Sequence, residues 1–253
     1  MRSGADAVVL DLEDAVPTSE KEQARQFIVD ESVVLQVLGV PLVVRINSPD
    51  QQLGQEDLRC LSRCSGLSAV MVPKVESRAA LVAVRAALPE VPLLPMIESA
   101  AGYANLSEIA RFEGVVRLVI GHIDFIADTG LQCSEDESEL APLRFAVAMT
   151  TRTGQLAPAV DGVTVAIADE RRLRQDTNRA LRFGFGGKLC IHPRQIGVVH
   201  EVLAPSAEDV AWAQRVLEAD AASGGSAVQI DGRMVDLPVV LQARRLLGRA
   251  TTP

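Results

Sequence analysis

Aromatic residues are scarce in this chain of 253 residues, with Phe, Tyr and Trp together making up 3%. That scarcity argues against the stacking platforms that hold single-stranded nucleic acid. Positive charge does not predominate either: the formal net charge is −8, the wrong sign for a protein that grips a phosphate backbone. Acidic small molecules would have to be held by local cations. The cysteines, Cys60, Cys64, Cys133 and Cys190, include no C-x-x-C pair and no histidine at zinc-ligand spacing, so they read as reduced thiols. No run of eighteen apolar residues occurs, and the N-terminus lacks the charged segment and apolar core of a secretory signal. The expected compartment is the cytoplasm, with neither membrane nor nucleic acid as a partner. Low-complexity tracts are missing too, and a hydrophobic content of 48% can fill a sizeable core, so one large domain is the economical expectation.

What the chain does have is a repeated unit. The apolar run Leu93-Leu94-Pro95-Met96-Ile97 stops at Glu98, and a strand covered on both faces tolerates a charge only where it reaches a mouth or cleft. The same ending recurs at Glu13-Asp14, Arg45, Lys74, Asp124 and His192. Helical patterns lie between these positions, as in a series of βα units whose parallel strands present polar groups at one rim. That rim is the candidate active site. Apolar runs over 7–12, 42–46, 69–74, 93–97, 118–121, 159–167 and 188–191 predict seven strands. A closed eight-stranded barrel would lack one, so either a strand escapes the pattern or the fold is a TIM (β/α)8-type barrel lacking its first strand and helix.

Local signals place the helices. Ser19 and Glu22 have capping-box spacing before a helical pattern that runs to about Leu38, on which Lys21 and Arg25 read as a solvated face. Ser77, Ser99 and Asp169 are suited to cap the helices that follow them. After residue 203 the pattern changes. A helix begins near Ser206, Asp231-Gly232 signals the turn of a small hairpin, and a last helix covers 237–247. The expected organisation is a barrel over 1–203 and a helical and hairpin lid or arm over 204–253, too short for an independent domain.

Glu98 and Asp124 lie one βα unit apart, so their strand ends should be neighbours. Two carboxylates converging there need a cation, and a divalent ion that keeps several waters suits them better than a soft metal. The alternative is that each accepts bonds from helix N-termini or Lys74. Arg45 is the planar, bidentate cation suited to a substrate carboxylate or a developing enolate, the alternative being a structural ion pair with Glu13. Glu13 and Asp14 could hold metal-bound waters or cap a helix. Lys74 is open between both kinds of role, and His192 reads as a structural hydrogen bonder.

The blocks Leu10-Asp11-Leu12-Glu13-Asp14-Ala15-Val16, Val44-Arg45-Ile46-Asn47, Val72-Pro73-Lys74-Val75-Glu76-Ser77, Ile97-Glu98-Ser99, Gly121-His122-Ile123-Asp124-Phe125, Gly187-Lys188, Ile191-His192-Pro193 and Gly232-Arg233-Met234-Val235-Asp236 resemble, in order, those of citrate lyase β-subunit-like proteins of the HpcH/HpaI aldolase superfamily. The resemblance implies a TIM barrel, a homotrimer or hexamer, and a lyase that binds Mg2+ and cleaves or forms a carbon–carbon bond in 3-hydroxyacyl-CoA thioesters such as malyl-, citramalyl- or citryl-CoA. It implies that Glu98 and Asp124 hold the metal, with Glu98 also lying against the substrate. Arg45 would bind the substrate's oxygens, Asp236 would act as acid/base, and Glu13, Asp14 and Lys74 would support the site. The alternative for Asp236 is an N-cap for the last helix. Two other readings stay open: a metal-dependent aldolase acting on free hydroxy-keto acids, and a non-catalytic subunit of a complex.

Overall fold

Seven short parallel strands form in sequence order, each where an apolar run meets its neighbour. In the computed structural model, which describes residues 3–37, 39 and 41–250, these are β1 (Val8–Asp11), β2 (Leu42–Arg45), β3 (Ala69–Val72), β4 (Leu93–Ile97), β5 (Val119–Ile120), β6 (Val160–Asp161) and β7 (Gly187–Lys188). The sheet order is β1-β2-β3-β4-β5-β6-β7 and every pairing is parallel. Between the strands run α1 (Lys21–Val37), α2 (Gln52–Leu61), α3 (Arg78–Ala87), α4 (Ala100–Ala104), α5 (Leu106–Ala110), α6 (His122–Thr129), α7 (Ala141–Thr153) and α8 (Glu170–Arg182), with α9 (Arg194–Leu203) after β7. This is the seven-stranded, TIM-barrel-type arrangement the strand count led to. Among the described residues β1 and β7 are its two edges.

Alternation along the strands sorts side chains to two faces. Val44, Ile46, Val70, Val72, Leu93, Ile97, Leu118 and Ile120 face the helices and join the main core. Val43, Ala69, Met71, Met96 and Val119 make a smaller cluster on the opposite, inner face. Each fully buried Val, Leu or Ile contributes about 1.5–3 kcal/mol relative to exposure. Asp11, Arg45 and Glu98 share the inner face's parity with Val9, Val43 and Met96, so strand periodicity alone brings them to the inner mouth.

The chain divides into two compact units, Met1–Val199 and His200–Pro253. The second contains α10 (Ala207–Ala222), the antiparallel hairpin β8 (Val228–Ile230) and β9 (Arg233–Val235), and α11 (Leu237–Ala250). Its own core is Ala213, Val216, Val235, Val240 and Ala243. Asp231 and Gly232 both take positive φ at the hairpin turn, as a two-residue loop of this hand requires.

Several local expectations change. The capping box does not form: Ser19 lies in a 3-10 turn, Thr18–Glu20, that precedes α1, and Glu22 pairs with Arg25 instead. Ser77 occupies its N-cap position without a side-chain bond, whereas Ser99, Asp169 and Ser206 each accept a backbone N–H. Leu38, the expected end of the first helix, lies outside the described residues. Residues 159–167 give only a two-residue strand. The His122 ring fills the space beside Gly162, where a Cβ would lie 2.2 Å from Nδ1, and the ladder stops there.

Lys21 and Arg25 are not a solvated face. They are 5% and 4% exposed, because each finds buried oxygens from other elements: Lys21 the carbonyls of Leu12 and Glu13, Arg25 the Asp57 carboxylate.

Candidate active site

Glu98 follows β4 and is 3% exposed. Its Oε2 accepts the Lys74 backbone N–H at 2.7 Å. Lys74 can offer that amide because its backbone is left-handed, φ 50°, a conformation that costs a non-glycine residue about 1–2 kcal/mol and concentrates at functional sites. Oε1 has no protein donor among the described residues. Gly121, at the N-terminus of α6, leaves room for this carboxylate: a Cβ there would meet Oε1 at 2.2 Å. Burial, reinforced by the charges of Glu13 and Asp124, pushes the Glu98 carboxyl up to about 7, against the Lys74 amide.

Asp124 sits in the first turn of α6 rather than on the strand, where the positive end of the helix favours a carboxylate. Its charge is felt at both Glu98 and Lys74. Two ties set the distance between the pair. β4 and β5 are in register with Ile97 opposite Ile120, and Asp128 near the far end of α6 accepts the Ala100 amide at 2.8 Å. Among the described residues neither Glu98 nor Asp124 makes an ion pair, and no group of three or more His, Cys, Asp and Glu is gathered as a metal cluster.

Beside them lies a row of ion pairs. Arg45 donates through Nε and Nη2 to the two Asp11 oxygens at 2.8 and 2.5 Å. It also reaches Glu13 at 2.9 Å and Asp14 at 3.2 Å. Burial works against its charge, but Asp11, Glu13 and Asp14 outweigh it and hold the guanidinium protonated. Glu13 takes Lys74 Nζ at 2.6 Å on its other oxygen. Burial raises the Glu13 carboxyl in spite of Lys74 and Arg45. Burial also opposes ionisation of Asp11, but the Arg45 bonds and the Glu13 and Ala15 amides lower it overall. The ion pair of Arg45 with Glu13, the alternative to a substrate role, is therefore present. Its bidentate partner is Asp11, which sequence reasoning passed over as part of a strand. The signal was the parity Asp11 shares with the inner face and its register partner, Arg45.

Among the described residues the mouth thus gathers Asp11, Glu13, Asp14, Glu98 and Asp124 with the cationic side chains of Arg45 and Lys74. Asp236 lies in the second unit, half-buried between β9 and α11, and its carbonyl accepts the Val240 amide. His192 accepts the Arg194 amide on Nδ1 at 3.1 Å, a structural bond. All four cysteines are free, and no helix among the described residues is long and apolar enough to cross a membrane.

A family model described as HpcH/HpaI aldolase/citrate lyase matches residues 1–193. The chain belongs to that family. It is 35% identical over 258 residues to a citrate lyase subunit beta-like protein of Deinococcus radiodurans, covering 98% of this chain and 90% of the relative. It is 32% identical over 250 residues to a (3S)-malyl-CoA thioesterase of Cereibacter sphaeroides, covering 97% and 87%. A crystal structure of CitE from Mycobacterium tuberculosis in complex with magnesium, acetoacetate and coenzyme A superposes with a TM-score of 0.82 at 32% identity, over 98% of this chain and 91% of that one.

A second ionic network in this family member was not anticipated from the sequence. Glu137 accepts from Arg144, Arg172 and Arg179 at 2.8–2.9 Å. Arg144, 1% exposed, also meets Asp161 at 3.3 Å, and Lys188 donates to the Gly162 carbonyl at 2.7 Å. Burial pushes both the Lys188 amine and the His122 imidazole down. Asp161 follows Val160, which packs on the inner cluster, so alternation turns this network toward α7 and α8 and away from the mouth.

Proposed function

We propose that this chain is a Mg2+-dependent carbon–carbon lyase that cleaves or condenses a 3-hydroxyacyl-CoA, such as malyl-, citramalyl- or citryl-CoA, giving acetyl-CoA and an oxo acid. The observation that carries the reading is the pair Glu98 and Asp124: two neighbouring carboxylates, one of them buried, with no cationic side chain paired to either among the described residues. The donor set fits the ion. Mg2+ is commonly held by one or two carboxylates, with waters and substrate oxygens completing its octahedron, and Glu98 Oε1 is the oxygen without a protein donor. Held by Glu98 and Asp124, the ion would supply Lewis acidity to the oxygens of the oxo acid. The M. tuberculosis structure with magnesium, acetoacetate and coenzyme A supports this choice of ion and of thioester carrier.

The chain's own residues supply the rest. Arg45, held protonated, would face charge that develops on substrate oxygens, a preorganised donor typically worth about 3–4 kcal/mol at the transition state. Glu13 holds Arg45 and Lys74 in one row, and Asp14 adds a third carboxylate to the guanidinium. Asp236 would carry the proton to or from the thioester's α-carbon, in a trimer or hexamer of this chain. The test is to incubate the protein and Mg2+ with malyl-, citramalyl- and citryl-CoA and follow glyoxylate, pyruvate or oxaloacetate together with acetyl-CoA. Absence of all three reactions would refute the proposal. The kinship with malyl-CoA thioesterases favours one second reading, hydrolysis of the thioester, which would release free malate and CoA instead.

A further inference from the structure

We infer that Lys21 is a positioning residue of this site: its buried ammonium pins the backbone carbonyls of Leu12 and Glu13 and thereby aims the Glu13 carboxylate between Arg45 and Lys74. The inference rests on the proposed function in that it takes the Arg45 and Lys74 row to face the substrate. Lys21 Nζ donates at 2.6 Å to the Leu12 carbonyl, at 2.8 Å to the Glu13 carbonyl and at 2.9 Å to Asn47 Oδ1. An ammonium has three donors, so none remains for a substrate, and Lys21 can act on the chemistry only through what it holds.

What it holds is the point where β1 leaves the sheet. The Leu12 amide makes the last bond of that edge, to the Arg45 carbonyl at 2.8 Å. Beyond it the Leu12 and Glu13 carbonyls have no strand partner, and buried carbonyls left unpaired destabilise a turn. Lys21 supplies the missing donors from α1. Asn47 Nδ2 joins it on the Leu12 carbonyl at 2.9 Å, and Asn47 is itself fixed by Asp57, which Arg25 Nε holds at 2.7 Å. On the other side of the turn Asp11 accepts the Glu13 and Ala15 amides at 2.9 and 3.1 Å. With carbonyls and amides both held, the Glu13 side chain spans three strand ends, from β1 to Arg45 at the end of β2 and to Lys74 after β3. A buried ammonium carries a desolvation penalty that a merely space-filling position on α1 would avoid with leucine or methionine.

The test is a double-mutant cycle in the full-length protein with Mg2+ and malyl-CoA, or whichever thioester the wild type turns over. K21M and E13Q should each lower kcat/KM about tenfold or more, and the K21M/E13Q double variant should fall within about threefold of E13Q alone, because both remove one device. Losses that multiply would show that Lys21 acts on the fold at large and would overturn the inference. A second readout needs no turnover: hydrogen exchange at the Glu13 and Ala15 amides should quicken at least tenfold in K21M while β4 amides keep their wild-type rates. Unchanged exchange at Glu13 and Ala15 overturns the inference as well. Should K21M not fold, K21Q, which can still donate to one carbonyl, takes its place in both arms. If the wild type cleaves no thioester, the proposed function fails while the exchange measurement still decides the role of Lys21.

Discussion

Replacing Glu98 by glutamine should make the metal-free protein more stable at pH 8 than the wild type, and the advantage should shrink toward pH 5. Glu98 is 3% exposed and has one protein donor, the Lys74 amide. Burial, with Glu13 and Asp124 nearby, moves its carboxyl from an ordinary 4.5 to about 7. An unfolded chain releases this proton near 4.5, whereas the folded chain keeps it until about 7. Between those values the folded state binds more protons, so stability falls as pH rises. At about 1.36 kcal/mol per pH unit, the loss accumulated between pH 5 and pH 8 is roughly 2–3 kcal/mol. Glutamine keeps an acceptor for Lys74 without the buried charge, so E98Q escapes this loss. Urea unfolding in the presence of a chelator, for both proteins at both pH values, measures the difference. Mg2+ at pH 8 should then stabilise the wild type and not E98Q, since a ligand stabilises the fold to which it binds preferentially. Parallel stability curves for the two proteins from pH 5 to pH 8 would refute the buried, proton-holding carboxylate.

Gly121→Ala places a methyl against Glu98 Oε1 and should weaken Mg2+ binding at least tenfold by calorimetry, with a smaller effect on the melting temperature. R45K keeps the charge but loses the two-pronged grip on Asp11; it should lower kcat/KM on the thioester by 10²–10³, measured by steady-state kinetics. G162A pushes a methyl into the His122 ring and should destabilise the fold by about 1–3 kcal/mol in thermal unfolding.

Much of the architecture is legible along the chain because its causes are local. A charge that ends an apolar run marks the mouth of a covered strand, and Glu98, Arg45 and Lys74 all obey that rule. Asp169 and Ser206 cap their helices through bonds that span three residues, and Asp231-Gly232 turns its hairpin through two adjacent positive φ angles. Ser19 shows the limit even of local signals, since a 3-10 turn takes the place of its capping box.

Tertiary structure decided which charges are buried and what holds them. Helical spacing gives Lys21 a solvent-facing reading, and only the approach of α1 to the end of β1 supplies the two carbonyls that draw it inside. Asp11 could be paired with Arg45 only once β1 and β2 were in register, and the arginines on α7 and α8 meet at Glu137 across 35 and 42 residues from Arg172 and Arg179. Desolvation and Coulomb interactions depend on separation through space. The order of residues therefore determined where polar groups reach the rim, and the folded chain determined which of them share a charge.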